Sequence, residues 1–180
     1  MTLILESEAS AKARGAEIYA EFKGWGEACD GHSPAMSHPE GEGLASAMGL
    51  ALKAAGLKPS DIDYVNAHAT STPVGDLSEI RALKSVFLKP EAATSPAISS
   101  TKALSGHSLS MAGALEAGIC CLGVKNQFTP GSAHIASLDP ECEGLHILQK
   151  TGDSGPAVAM SNSSGFGGAN VSLIFSQWNG

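Results

Sequence analysis

Aromatic side chains are scarce in this 180-residue chain, at 5% of the residues. Positive charge is scarce as well: 11 lysines and arginines face 18 aspartates and glutamates, for a formal net charge of −7. That balance argues against nucleic acid and against an anionic membrane surface as partners, since both need a basic field. Long apolar runs are lacking. The most apolar stretch, Leu109 to Val124, is interrupted by Glu116 and is too short to span a bilayer. No basic, apolar leader opens the chain, so no secretory signal is expected. Cys29, Cys120, Cys121 and Cys142 form no Cys-x-x-Cys pair. Reduced, buried thiols are the simplest reading, and they suit a cytoplasmic protein. Internal repeats and low-complexity tails are missing too.

What remains is a chain that is 43% apolar and rich in alanine and glycine. It is long enough for one domain over residues 1–180, with closely packed elements. Thr2 to Leu5 reads as a buried strand, and Ser7 to Arg14 as a short helix capped by Ser7 and ended by Gly15. Alternation predicts a strand over Glu17 to Phe22. Glycines, prolines and two histidines make Gly24 to Gly43 a long loop, the kind that covers a site. His32 and His38 there match no metal spacing and read as loop histidines. A small-residue helix is expected over Glu42 to Ala55, closed by Gly56, then a strand over Ile62 to Asn66. A helix over Asp76 to Phe87 follows, with Asp76 as its cap and Glu79 completing a capping box. Lys89 to Ser95 is a polar link and Ala97 to Ser100 a strand. His107 to Val124 reads as a central helix and Thr129 to Pro140 as irregular. Strands are expected over Leu145 to Gln149, Ala157 to Met160 and Val171 to Phe175. The order predicts a layered α/β fold with a mixed sheet flanked by helices.

Two constellations could carry chemistry. The first is NAHATSTPVGD, residues 66–76, where a strand ends in a histidine followed by Thr70, Ser71 and Thr72. Strand ends present reactive groups because the sheet fixes the backbone while the loop frees the side chain. The second is SSTKALSGHS, residues 99–108, with the same logic: strand, loop, imidazole, helix. A helix N-terminus near His107 would disfavour its protonation. Glu116, in an otherwise nearly uncharged helix, needs a partner, and Lys102 is the candidate. Two neutral imidazoles delivered by two strand ends can donate hydrogen bonds to one carbonyl oxygen as it becomes negative. A purely structural Lys102–Glu116 pair, and a histidine that only ties its own loop, are the plainer readings. The turn Gly165-Phe166-Gly167-Gly168 lacks the spacing and following helix of a phosphate-binding loop.

Together with SNSSGFGGAN, residues 161–170, and ILESEASAKARGAEIYAE, residues 4–21, these motifs resemble the β-ketoacyl-acyl-carrier-protein synthases of types I and II. The resemblance covers nearly the whole chain and concerns their C-terminal half alone. It implies a thiolase-like fold. It implies that His68 and His107 bind the thioester carbonyl of a malonyl acyl carrier protein, for decarboxylation and Claisen condensation in fatty-acid or polyketide synthesis. Lys102 then supports the second histidine, and Glu116 pairs with that lysine. Thr70 and Thr72 touch the phosphopantetheine arm that the carrier brings, and Phe166 gates the site. No cofactor is required. Asn66, Glu116, Ser161 and Asn162 match a site for a monovalent cation, K⁺ or Na⁺. The acyl carrier protein is the implied partner; being acidic, it would need a local basic patch.

This sequence also departs from the pattern. No cysteine matches the family's nucleophile, which is expected on an N-terminal half. Ser164 stands where phenylalanine is usual, and Ser110-Met111 replaces a small pair. The other class of function is therefore a non-catalytic, synthase-like subunit resembling a chain-length factor, or a self-dimerising relic. A half-fold would leave apolar surface bare, so the chain is expected to associate with an N-terminal half or with itself.

Overall fold

Six strands form one mixed sheet in the computed structural model, which describes residues 1–88 and 95–180. In chain order the main elements are α1 (Glu8–Ala13), β1 (Glu21–Cys29), α2 (Glu42–Ala55), β2 (Tyr64–Asn66), α3 (Pro73–Phe87), β3 (Ala97–Ser99), α4 (Lys102–Ser105), α5 (Ala112–Asn126), β4 (His146–Ile147), β5 (Val158–Gly165) and β6 (Ala169–Ser176). The sheet order is β1-β6-β5-β2-β3-β4. Strands β5, β2, β3 and β4 run parallel, while β6 is antiparallel to both of its neighbours.

Alternation along the strands sorts the core into two layers. Val65, Ile98, Met160 and Ile174 face α2 and α3, against Leu44, Met48, Leu83 and Phe87. Their chain neighbours Tyr64, Ala159 and Phe175 turn to the other side, against Ala117, Cys120 and Val124 of α5. Successive strand residues point to opposite faces, so each strand feeds both layers. The result is helices on both sides of a mixed sheet, as expected.

Several boundaries differ from the sequence reading, each for a physical reason. The segment Thr2 to Leu5 is not a strand: no strand pairs with it among the described residues, and Ile4 is 85% exposed. It runs over α5 instead, with the Met1 side chain set against Gly118. With α1 and the C-terminal residues it walls a cavity of 1140 Å³. Strand β1 begins later than the alternation suggests and takes in Gly24 and Gly26, which read as loop. A Cβ on Gly26 would come within 2.2 Å of the Ala47 carbonyl oxygen, so these glycines mark where β1 and α2 touch backbone to backbone. Strands β5 and β6 extend to the glycine turn as one hairpin, with Gly165 paired to Ala169. The long helix expected from His107 is divided into a single turn over Leu109–Met111 and then α5, while α4 forms before it, ahead of His107. The expected polar link lies outside the described residues except for Ser95.

Candidate active site

Strands β2 and β3 are parallel neighbours, with Asn66 level with Ser99, so the loops that follow them leave the same edge of the sheet. One loop carries His68. The other carries Lys102 and, past α4, His107. The imidazoles meet edge to face, centroids 5.5 Å apart and ring planes at 89°. His68 is half-buried and His107 exposed. Burial drives the pKa of His68 down to about 4, and the charge of Lys102 adds to the shift. The His68 ring is therefore neutral near pH 7. Its Nδ1 is buried and without a partner. An orphaned lone pair costs less than an orphaned N–H, so the proton belongs on Nε2, where it can be donated.

The loop around His68 is held from two sides. Glu79 of α3 accepts from the His68 main-chain N–H at 3.0 Å and from that of Ala69 at 2.8 Å. Ser100 Oγ donates to the Ala69 carbonyl oxygen at 3.2 Å, tying the two histidine-bearing loops together. Neither contact follows from the sequence reading, which gave Glu79 to a capping box. The helix begins at Pro73 instead, with Thr72 as its cap residue, and Glu79 lies a turn too far along for that motif. Asp76 is not the cap either. Its carboxylate accepts from the Ser71 N–H at 3.2 Å, and burial raises its pKa above the usual aspartate range. Ser71, at φ +64°, makes the sharp bend that the loop needs.

Lys102 and Glu116 form the expected ion pair, and both are buried. Burial pushes the Glu116 carboxyl up and the Lys102 ammonium pulls it back. The second Glu116 oxygen, both side-chain polar atoms of Asn66 and Ser161 Oγ are buried without hydrogen-bond partners. Asn66 and Ser161 are level on neighbouring parallel strands, so both side chains face α5, the helix that carries Glu116. Amide, hydroxyl and carboxylate oxygens left unpaired are the donors a hard cation takes. Asn162 is one residue further along, and its side chain turns to the opposite face. There its Nδ2 lies 3.4 Å from Met48 Sδ and its Oδ1 accepts from Ser172 at 2.8 Å. Its side chain thus falls outside the expected cation set.

Thr70 and Thr72 stand beside each other, their hydroxyls 3.4 Å apart, on the open side of the first loop. Phe166 is 85% exposed at the tip of the β5–β6 hairpin. Ser164 spends its hydroxyl on Asn170, which in turn binds Asp30. Burial raises the thiol pKa values of Cys120, Cys121 and Cys142, which suppresses their thiolates. Cys29 is exposed and directs its sulfur at the Gly167 carbonyl.

Residues 19–136 match the family described as "Beta-ketoacyl synthase, C-terminal domain". The chain is 44% identical over 176 residues to 3-oxoacyl-[acyl-carrier-protein] synthase 2 of Staphylococcus aureus, covering 98% of this chain and 42% of that protein. It thus spans about two fifths of the length of the curated relatives it matches. Among solved structures, the ishigamide ketosynthase/chain length factor superimposes with a TM-score of 0.89 at 34% identity, over 97% of this chain and 42% of that one. A type II PKS ketosynthase in complex with its acyl-carrier protein and bound to the hexaketide gives a TM-score of 0.89 at 31% identity, with the same coverage.

Proposed function

Because this chain belongs to the β-ketoacyl synthase C-terminal domain family and shares its thiolase-like fold, we propose that it supplies the decarboxylation site of a condensing enzyme. The observation that carries this reading is the facing pair of imidazoles, His68 and His107. An oxygen placed between the rings can accept from both. The substrate oxygen is that of a malonyl thioester. As its carboxylate leaves as carbon dioxide, the electron pair of the broken C–C bond passes into an enolate whose charge falls on that oxygen. The N–H donors of the two rings stabilise this charge, and His68 does so from a partly dehydrated position as a neutral ring. Each such donor is worth about 10²–10³ in rate. The enolate carbon then attacks an acyl thioester, and a cysteine thiolate leaves. None of the three buried or half-buried thiols here is suited to hold that acyl group. Acyl acceptance belongs to a cysteine on an N-terminal half.

In this reading Lys102 and Glu116 hold the segment that bears His107. Thr70 and Thr72 line the path of a phosphopantetheine arm carried by an acyl carrier protein, and Phe166 covers the entrance. Asn66, Ser161 and the unpaired oxygen of Glu116 would hold a K⁺ or Na⁺ ion, whose charge would offset that of the buried carboxylate. The setting is cytoplasmic, and among the described residues no helix is long and apolar enough to cross a membrane. The chemistry is the same whether the product enters fatty acids or polyketides.

A second reading, a non-catalytic subunit resembling a chain-length factor, draws support from the likeness to a ketosynthase/chain length factor pair and from the exposed apolar surface. Mixing the chain with the cysteine-bearing N-terminal half of a relative separates the two. The proposal expects condensation of acyl and malonyl carrier protein to be restored and then lost in His68→Ala. Condensation that is indifferent to His68→Ala would sink it.

A further inference from the structure

Of residues 1–15 only Ala11 is buried. Among the described residues, no main-chain hydrogen bond joins residues 1–6 to the rest of the molecule. The stretch is tied within itself instead: Glu6 accepts from Ser10 Oγ at 2.9 Å and from Arg14 Nε at 3.0 Å, and Ser7 caps α1. Ordering such a stretch costs chain entropy, and one buried alanine offsets little of it. Two clasps flank it. On the far side of Gly15 and Ala16, Glu17 pairs with Lys125 of α5, whose ammonium also lies 4.0 Å from the centre of the Tyr19 ring. On the near side, Trp178 of the C-terminal tail is half-buried against α1. Its Nε1 donates to Glu8 at 3.4 Å, and the Lys12 ammonium lies 5.4 Å from its ring centre. Glu8 and Lys12 pair with each other at 2.7 Å, both well exposed. Contacts of this kind are individually weak. Beneath the stretch lies the 1140 Å³ cavity, whose floor is Phe22, Cys121, Leu122 and Phe175.

We propose that residues 1–14 are a hinged strap over this cavity, turning at Gly15–Ala16 and latched shut by Trp178 against Glu8 and Lys12. Closed, the strap keeps water from the paired rings of Phe22 and Phe175, whose centres are 5.5 Å apart. Open, it bares them together with Leu122 and Cys121. Segments with few buried apolar contacts open locally, at a small fraction of the cost of global unfolding. The Lys125 clasp holds the chain beyond the turn, so opening stops there and leaves β1 in the sheet. The strap is remote from the histidine pair in the argument, and it stands under either reading of function.

The cysteines report the motion. Cys121 is in the cavity floor, Cys120 beside it is in the core, and Cys29 is exposed. The full chain is labelled with iodoacetamide in native buffer, and the rate is read at each cysteine by peptide fragmentation. In the unaltered protein Cys121 should react more slowly than Cys29 and faster than Cys120. A Cys121 as slow as Cys120 would mean that the floor is reached only by global unfolding, and a Cys121 as fast as Cys29 would mean that nothing closes over it. Either result overturns the proposal, whether or not any variant folds. In Trp178→Ala the Cys121 rate should rise about two- to fivefold, the worth of a cation–π contact at an exposed site, with Cys29 and Cys120 unchanged. Amide hydrogen exchange gives an independent reading. The Ala11 and Arg14 amides of the strap should exchange far faster than Asn66 of β2, and Trp178→Ala should speed them by the same factor as Cys121. Faster labelling with unmoved strap amides would show a local loosening at the floor and no strap; a Cys121 rate indifferent to Trp178→Ala would remove the latch.

Discussion

Lys102 and Glu116 grip one another in the interior from α4 and α5, and the segment between them carries His107. The ion pair therefore closes a short span of chain whose only imidazole is set beside His68. A pair so placed fixes geometry more than it adds stability, because the cost of dehydrating two charges offsets most of their attraction.

Removing one partner should reveal that balance. Lys102→Met leaves a buried carboxylate uncompensated and is expected to cost about 3–5 kcal/mol in urea unfolding. The double variant Lys102→Met with Glu116→Leu should recover much of that loss. A double variant less stable than the single one would show that the pair itself is a net source of stability.

The burial of His68 makes a pH prediction. Its folded pKa is about 4 against 6.5 for the unconstrained group. Between these values the unfolded chain binds a proton that the folded chain does not. Its contribution to stability is then complete above about pH 6.5 and is lost as the pH falls toward 4. NMR titration of the ring should give a midpoint near 4. A midpoint at or above 6.5 would contradict the buried, neutral imidazole.

Two glycines should respond in opposite directions. Gly26→Ala forces a methyl group to within 2.2 Å of the Ala47 carbonyl oxygen and should separate β1 from α2, costing about 3 kcal/mol, the upper end of overpacking penalties. Gly49, on the exposed side of α2, has nothing within 4 Å of such a methyl. Gly49→Ala should stabilise by about 0.5–1 kcal/mol through helix propensity. Denaturant midpoints of the two variants that move together would refute the close approach of β1 and α2.

Exposed apolar surface predicts association. Ile4, Leu5, Trp25 and Tyr19 are 85%, 72%, 51% and 48% exposed. Three of them wall the 1140 Å³ cavity. Patches of this kind are seldom left bare. Light scattering after size exclusion should find the chain associated at micromolar concentration, with an N-terminal half or with itself, and a clean monomer would count against this.

The layered architecture was legible because apolar periodicity and cap residues are local signals: Ser7, Gly15 and Gly56 all end or begin elements as read. The two histidine loops were legible because their flanking strands are apolar and short. What escaped depends on distant partners. Nothing near Gly24 and Gly26 announces that a helix will press on them, so they read as loop. Thr2 to Leu5 has the composition of a strand, yet composition cannot provide a neighbour to pair with. Pro73 opened α3 earlier than Asp76 suggested, and that shift turned Glu79 from a cap into a clamp on the His68 loop. Asn162 follows Ser161 in sequence, but the pleat sends the two side chains to opposite layers.

The most direct test of the account is the decarboxylation of malonyl carrier protein in the assembled enzyme, compared across His68→Ala, His107→Ala and the double variant. Two donors to one oxygen predict a loss of about 10²–10³ for either single change. They also predict a double-variant loss well short of the product of the two. Full activity in either single variant would contradict the shared oxygen on which the reading depends.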